Sequence, residues 1–485
     1  MFVLLATANG AGYRYGTSDQ AFYIPVVTHA LHPDLFPRDG ALIDAEGRLM
    51  VLDEALAALV RATGVSLEAL FLAGYVVSML LTWTGLVLIG TRLSVNRWVT
   101  VALAAAFTLR HRIPETSANS FEPYFHPRML AFGAGTLAVA AVLRRRPWIA
   151  MACVGVGAIA HVGIALWFAM LIGVALAVLD ARLRVVTIAG GVVAAGVLTW
   201  AATAGPLRSA LVTMDETWLQ AVASKDSLFA TMWPAWAWVA NLALLALLWW
   251  AHRSRVRRGV ASREDVALVW GATALVALFL VTLPMIAARW SLVVQFQLPR
   301  IFWLVDILAL IYVIAALDNR ARMVAVLLVA FAVVRGVYIT TIEYPERSLF
   351  AVHTPPSAWE KAMQWVRRQP ADVHVLADPG HAWKYGTSVR VAGERDVFLE
   401  EVKDSALAIY SRDVAARVVE RTRAIGDFNA LSAGDAHRLA QRYDLDYLIT
   451  TADLPLALAY RNDEFRIYSL ASGTEPAPTS MSRSH

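Results

Sequence analysis

Four short polar stretches interrupt an otherwise apolar chain, and they hold the side chains able to do chemistry. The first reads Tyr13-Arg-Tyr-Gly-Thr-Ser-Asp19-Gln20-Ala-Phe-Tyr23-Ile-Pro25. Asp19 follows directly on an apolar run, so its carboxylate sits at a water–lipid boundary, where it can take a proton from a water-borne hydroxyl. Asp also caps helices, and a cap on a helix starting near Ala21 is the plainer alternative. The second stretch runs from Arg110 to Arg128 and includes Glu122, Tyr124 and His126. Arg128 opens an apolar helix, where a guanidinium can hold a phosphate at the helix N-terminus or can snorkel to the interface. Glu122 is a second carboxylate able to face the same cavity as Asp19, and so a reserve base.

His161 stands between two apolar runs, as a satisfied core residue or a substrate contact. The last stretch, Arg289 to Asp306, carries Gln297, Arg300 and Asp306. Ionisable groups inside a span are expensive and face a cavity or one another. Arg335, in the last apolar run, is a further cation of this kind. The arginines suit a lipid phosphate, and an Asp306–Arg335 pair would satisfy both without a ligand. No HxxE or HExxH pattern is present, so no metal site is expected.

These groups must be positioned by membrane helices. The chain has 485 residues, 58% hydrophobic and 17% charged, against about 25% charged in soluble domains, which excludes a water-soluble enzyme. A single cysteine excludes a disulfide framework, a cysteine-based zinc site and an iron–sulfur cluster. Runs long enough to approach the ~20 residues of a spanning helix fall at 66–90, 97–110, 128–143, 147–160, 162–180, 184–204, 232–251, 265–287, 300–317 and 321–341. The apolar stretch Met1–Tyr13 is too short to span and reads as a first span whose beginning is missing.

Basic clusters at Arg92/Arg97, Arg144–Arg146, Arg182/Arg184, Arg253–Arg258 and Arg320/Arg322 all fall in alternate loops. The positive-inside rule makes that side cytoplasmic. The polar stretches and everything after residue 344 are then outside. This clustering reads as a topology signal, and no nucleic-acid partner is expected. Residues 345–472 alternate strand-like and helical segments, as in a small α/β domain, with strands near 373–377, 447–451 and 465–470 and helices near 357–368, 401–424 and 435–443. The segment Glu400–Asp404 with Tyr410 reads as part of a folded lid or scaffold. The tail 473–485, rich in Ser and Pro, reads as disordered. The expected fold is thus a polytopic α-helical membrane protein of about 10 or 11 spans over residues 1–344, with a small outer α/β domain.

With Gly16-Thr-Ser-Asp19-Gln20-Ala-Phe-Tyr23-Ile-Pro25 in a long first outer loop and the amphipathic segment Leu49–Arg61 behind it, the layout resembles the GT-C superfamily of membrane glycosyltransferases. It looks closer still to bacterial GT-C-like proteins of unknown function, with Arg300-Ile-Phe-Trp303 opening a late span. The resemblance implies transfer of a sugar, with inversion, from a polyprenyl-phosphate donor to a glycan, lipid or protein acceptor. The place implied is the outer face of a bacterial inner membrane. It implies a general-base role for Asp19, with Arg128, Arg300 and Arg335 on the phosphate. Gln20, Tyr23, His126, His161, Gln297 and Asp306 are the remaining candidate contacts. Many members carry paired acids where this chain has Asp19-Gln20. Two other readings compete: a secondary transporter using Asp306, Arg300 and Arg335 as a relay, and a non-catalytic partner of an envelope complex.

Overall fold

A computed structural model describes residues 1–47, 51–205, 207–354 and 356–470. The start of the amphipathic segment at Leu49 and the tail 473–485 lie outside the described residues. All ten apolar runs form helices. Seven are long and apolar enough to cross a membrane: Leu67–Leu93, Val162–Leu179, Ala181–Thr203, Ala235–Arg257, Arg263–Ala287, Ser291–Ala316 and Asp318–Glu343. Arg97–Ala106, Pro127–Leu143 and Pro147–Ala160 are shorter. At 1.5 Å per residue, the ten residues of Arg97–Ala106 reach about 15 Å, half of a ~30 Å hydrocarbon core. The expected span 97–110 is therefore a half-helix, because the charged run from Arg110 instead enters a hairpin pairing Arg112–Ile113 with Ala118–Asn119.

Two polar ends result. At one, the basic clusters are tied to acids and helix ends: Arg145 Nε to Glu264 at 2.7 Å, Arg92 Nε to the Leu143 carbonyl at 2.9 Å, and Arg255 to Asp265 at 3.2 Å. Asp265 also closes a capping box with Ser262, which fixes the start of its helix. At the other end the loops 10–66, 107–126, 204–234 and 288–300 meet the C-terminal region, and there the candidate residues converge. One close approach depends on glycine. The Phe125 ring lies on the helix Leu67–Leu93 at Gly74, where a Cβ would come within 2.7 Å of it. Phe71 adds an edge-to-face contact at 5.3 Å. Together they seat the 107–126 loop.

The C-terminal region is a small five-stranded sheet flanked by helices. Its strand order is Asp396–Val397, His374–Leu376, Tyr447–Thr450, Arg466–Ser469, Ala457–Arg461. The first three run parallel and the last two pairings are antiparallel. The expected helix 401–424 is broken into Glu401–Leu407 and Arg412–Ile425. Ser411 Oγ accepts from the Val414 amide and starts the second helix, and the break leaves Tyr410 in a turn at the cavity.

A buried charge cluster holds this region on the first loop. Asp39, fully buried, takes Arg390 Nε at 2.8 Å and also Arg417. Arg390 reaches Asp404 at 2.6 Å, and Asp396 accepts the amides of Arg38 and Asp39 at 2.9 Å each. Breaking one partner of such a cluster strands a buried charge, so the sheet domain is firmly placed. A short parallel pairing of Tyr13–Arg14 with Phe350–Ala351 adds a second tie.

Candidate functional site

A cavity of about 430 Å³ opens between these loops and the sheet domain. Asp19 stands in its wall at the start of the helix Gln20–Leu31, its side chain about one quarter exposed (26%). It does not cap that helix, since its carboxylate makes no hydrogen bond to the helix amides. Instead its oxygens face four side chains: Lys403 Nζ at 3.0 Å, Arg128 at 3.3 Å, His126 Nε2 at 3.4 Å and Tyr124 OH at 3.5 Å. Burial alone would raise this carboxyl, but Lys403, the His126 hydrogen bond and Arg128 outweigh it and hold Asp19 well below the usual carboxylate range.

His126 and His161 are both helix caps whose Nδ1 accepts a backbone amide, from Arg128 and from Ile164, each at 3.2 Å. A neutral ring capping in this way carries its proton on Nε2. For His126 that proton points at Asp19. Burial and the Arg128 charge keep His126 far below its ordinary pKa, hence neutral. The two rings lie 6.3 Å apart, and Tyr23 packs edge-on to His126 at 5.0 Å. Each histidine is thus a satisfied helix cap that also lines the cavity.

Glu122 lines the same cavity as Asp19 but is buried in its wall. Its side chain is 2% accessible, and it holds Arg128 at 2.6 Å, Arg110 at 3.1 Å and Asn119 at 3.2 Å. It orders arginines. Gln20, also fully buried, lies behind the wall: its Nε2 donates to the Phe125 carbonyl at 3.1 Å and its Oε1 accepts the Gly16 amide at 2.7 Å. In place of a second acid, the chain has a clasp between the loops 10–66 and 107–126.

Arg300 lies at the inner side of the cavity, and its Nε is buried with no hydrogen-bond partner among the described residues. A second, apolar cavity of about 230 Å³ begins here, lined by Val162, Ile164, Trp167, Leu292 and Phe296. It shares His161, Gln297, Arg300 and Tyr410 with the polar cavity. Gln297 donates to Tyr410 OH at 2.6 Å from a left-handed backbone at φ +49°, a conformation non-glycine residues rarely adopt.

Two expected members are elsewhere. Asp306 pairs with His111 at 3.0 Å, and Arg335 donates to the carbonyl and Oδ1 of Asn9 at 2.9 and 3.0 Å. The Asp306–Arg335 pair is therefore not formed, and the residues of a relay are dispersed. Each has found a partner from a segment whose packing the sequence does not reveal: the hairpin loop for Asp306, the short helix Phe2–Asn9 for Arg335.

The sheet domain brings to the site two residues that the sequence reading assigned to a lid or scaffold, Lys403 beside Asp19 and Tyr410 beside Gln297, and one it did not single out, Trp383, 64% exposed, in the cavity wall. One signal was available. The chain has only four lysines, and two of them, Lys225 and Lys403, line this cavity. Lys225 Nζ donates to the Val402 carbonyl at 3.1 Å, bracing the helix that carries Lys403. The acid-x-acid triplet Asp444-Leu445-Asp446, also passed over, is structural: Asp444 pairs with Arg38 and Asp446 accepts the His374 amide at 2.8 Å. Among the described residues, no three His, Cys, Asp or Glu side chains gather as a metal-holding group.

Fold and site define a multi-pass membrane protein with a polar cavity closed by a small C-terminal sheet domain. No family model matches the chain. No curated protein matches it. Among solved structures it is similar to the archaeal oligosaccharyltransferase AglB from Archaeoglobus fulgidus, solved in complex with an inhibitory peptide and a dolichol-phosphate. That likeness is at 14% identity and a TM-score of 0.47, covering 92% of this chain and 68% of that one. No activity follows from a likeness at that level.

Proposed function

We propose that the protein is a membrane glycosyltransferase of GT-C type that moves a sugar from a polyprenyl-phosphate donor to an acceptor hydroxyl. The observation that carries this is the junction at Arg300: a buried guanidinium nitrogen without a partner among the described residues, where a polar cavity meets an apolar one. A ligand matching both sides is an anion on a long apolar tail. Leaving Arg300 Nε unpaired costs about 1–3 kcal/mol, which a phosphate oxygen recovers. The sugar then lies in the polar cavity near Asp19.

In the reaction the acceptor oxygen attacks the anomeric carbon as the bond from that carbon to the phosphate oxygen breaks. The hydroxyl proton passes to Asp19, and polyprenyl phosphate leaves with the bonding pair. One base with no nucleophile fits a single inverting displacement. Arg300, with Arg128 at the cavity wall, offsets the charge growing on the phosphate. The acceptor is a glycan, lipid or protein at the outer face of a bacterial plasma membrane. Support for that orientation is the separation of the arginine clusters from the cavity end.

The test uses the purified full chain in nanodiscs, given polyprenyl-phosphate sugars and envelope acceptor extracts. Free polyprenyl phosphate should accumulate with wild type and not with Asp19→Asn. Equal release by both refutes the assignment.

A further inference from the structure

We propose that Lys403 is an exchangeable counter-ion, paired with Asp19 in this structure and drawn onto the phosphate group of an anionic ligand when that ligand binds. The inference rests on the donor reading above and adds a residue from the sheet domain to the reaction.

The cations around the cavity differ in how firmly they are held. Arg128 and Arg110 share Glu122, and Arg128 also reaches Asp19. Their planar forks are held at fixed positions by a buried carboxylate. Among the described residues Lys403 has one carboxylate partner, Asp19 at 3.0 Å, and its ammonium otherwise lies over the Phe22 ring at 4.7 Å. A lysine is a point charge on a four-carbon stem that re-aims without moving its backbone. Its helix does not need to move: Asp404 of the same helix is bound to Arg390 at 2.6 Å and to the Glu400 amide at 3.1 Å, and Arg390 is bound to Asp39. The helix is fixed and the ammonium is movable.

Asp19 can give up Lys403 without being stripped, since Arg128, His126 and Tyr124 remain. Losing one cation raises its affinity for a proton. The carboxylate thus becomes a better base when the phosphate is in place, which orders the reaction with donor before acceptor. Linkage makes the coupling reciprocal: if phosphate weakens the Asp19–Lys403 pair, that pair weakens phosphate binding by the same factor.

The test is a binding cycle on the full chain in detergent or nanodiscs, with inorganic phosphate and with a polyprenyl monophosphate as separate probes. Asp19→Asn, which frees Lys403, should tighten phosphate binding at least about tenfold, or ~1.4 kcal/mol. In a Lys403→Met background the same Asp19→Asn change should gain less than about a third of that on the logarithmic scale. Lys403→Arg, which keeps the charge, controls for folding by monodispersity and retains binding. An equal gain in both backgrounds, no gain in either, or no binding of either probe by any variant overturns the proposal. A gain with polyprenyl monophosphate alone identifies the lipid as the anion source; a gain with both shows that the phosphate group suffices. If inorganic phosphate shows the cycle while polyprenyl monophosphate binds no variant, the counter-ion exchange stands and the lipid-donor reading falls.

Discussion

Replacing Arg300 by Met removes one charge while keeping a side chain of similar reach. The cavity has other cations, but Glu122 holds Arg128 at 2.6 Å and Arg110 at 3.1 Å, and Lys403 sits 3.0 Å from Asp19. Among the described residues lining the cavity, Arg300 carries the buried donor nitrogen, Nε, that has no hydrogen-bond partner. A hydrogen bond to a charged group is worth about 1.5–3 kcal/mol, so losing one from guanidinium to phosphate should weaken donor binding by about 10- to 150-fold. Because the phosphate gains charge as the glycosidic bond breaks, part of the loss should fall on kcat. The assay is steady-state release of polyprenyl phosphate from a polyprenyl-phosphate sugar, with KM and kcat measured separately. Arg300→Lys should recover only part of the loss, since a lysine cannot reproduce a fork. A donor KM within about twofold of wild type in Arg300→Met, with the protein folded, would refute the phosphate assignment; that margin is under ~0.5 kcal/mol.

Asp19 also makes a pH prediction. Its folded pKa is depressed, so its pairing contributes stability above the ordinary carboxylate pKa of about 4 that is lost only as pH falls through the lower folded value. The kcat/KM profile of free enzyme should accordingly show no acid limb from Asp19 above about pH 5, and Lys403→Met should move that limb upward. Gln20→Ala should lower stability by about 2–6 kcal/mol, the cost of two buried groups left unpaired at about 1–3 kcal/mol each, while the same variant keeps its donor KM; calorimetry and kinetics together decide this. Arg335→Ala, which loses the hydrogen bonds to Asn9, should leave donor KM unchanged and destabilise the packing of Phe2–Asn9, read as faster proteolysis of the N-terminus.

The ten helices were legible because each is an apolar run long enough to stand out against a charge-poor background. The two polar ends were legible because arginine falls in alternate loops. Asp19, the pair His126 and Arg128, His161, and the pair Gln297 and Arg300 come from four separate stretches, and topology alone brings those stretches to one end. What sequence periodicity does not encode is which side of a helix meets which neighbour. Asp306 and Arg335 resemble an intramembrane pair at matching depth, yet His111 and Asn9 answer them from segments too short or irregular to read. Lys403 was hidden for a related reason. It sits in an ordinary-looking soluble helix and reaches Asp19, 384 residues away in sequence, only because the Asp39–Arg390–Asp404 cluster seats the sheet domain on the first loop. Gln20 misled in another way: beside an acid it looked like a weakened catalytic pair, and its two backbone hydrogen bonds make it a loop clasp.

The most direct test of the central claim is mass spectrometry of envelope glycans and polyprenyl-linked sugars from a strain lacking this protein, complemented with wild type or with Asp19→Asn. One sugar should be lost from the glycans on deletion while its polyprenyl-phosphate form accumulates. Wild type should restore the glycans and Asp19→Asn should not. Unchanged glycans on deletion, or full restoration by Asp19→Asn, would contradict it.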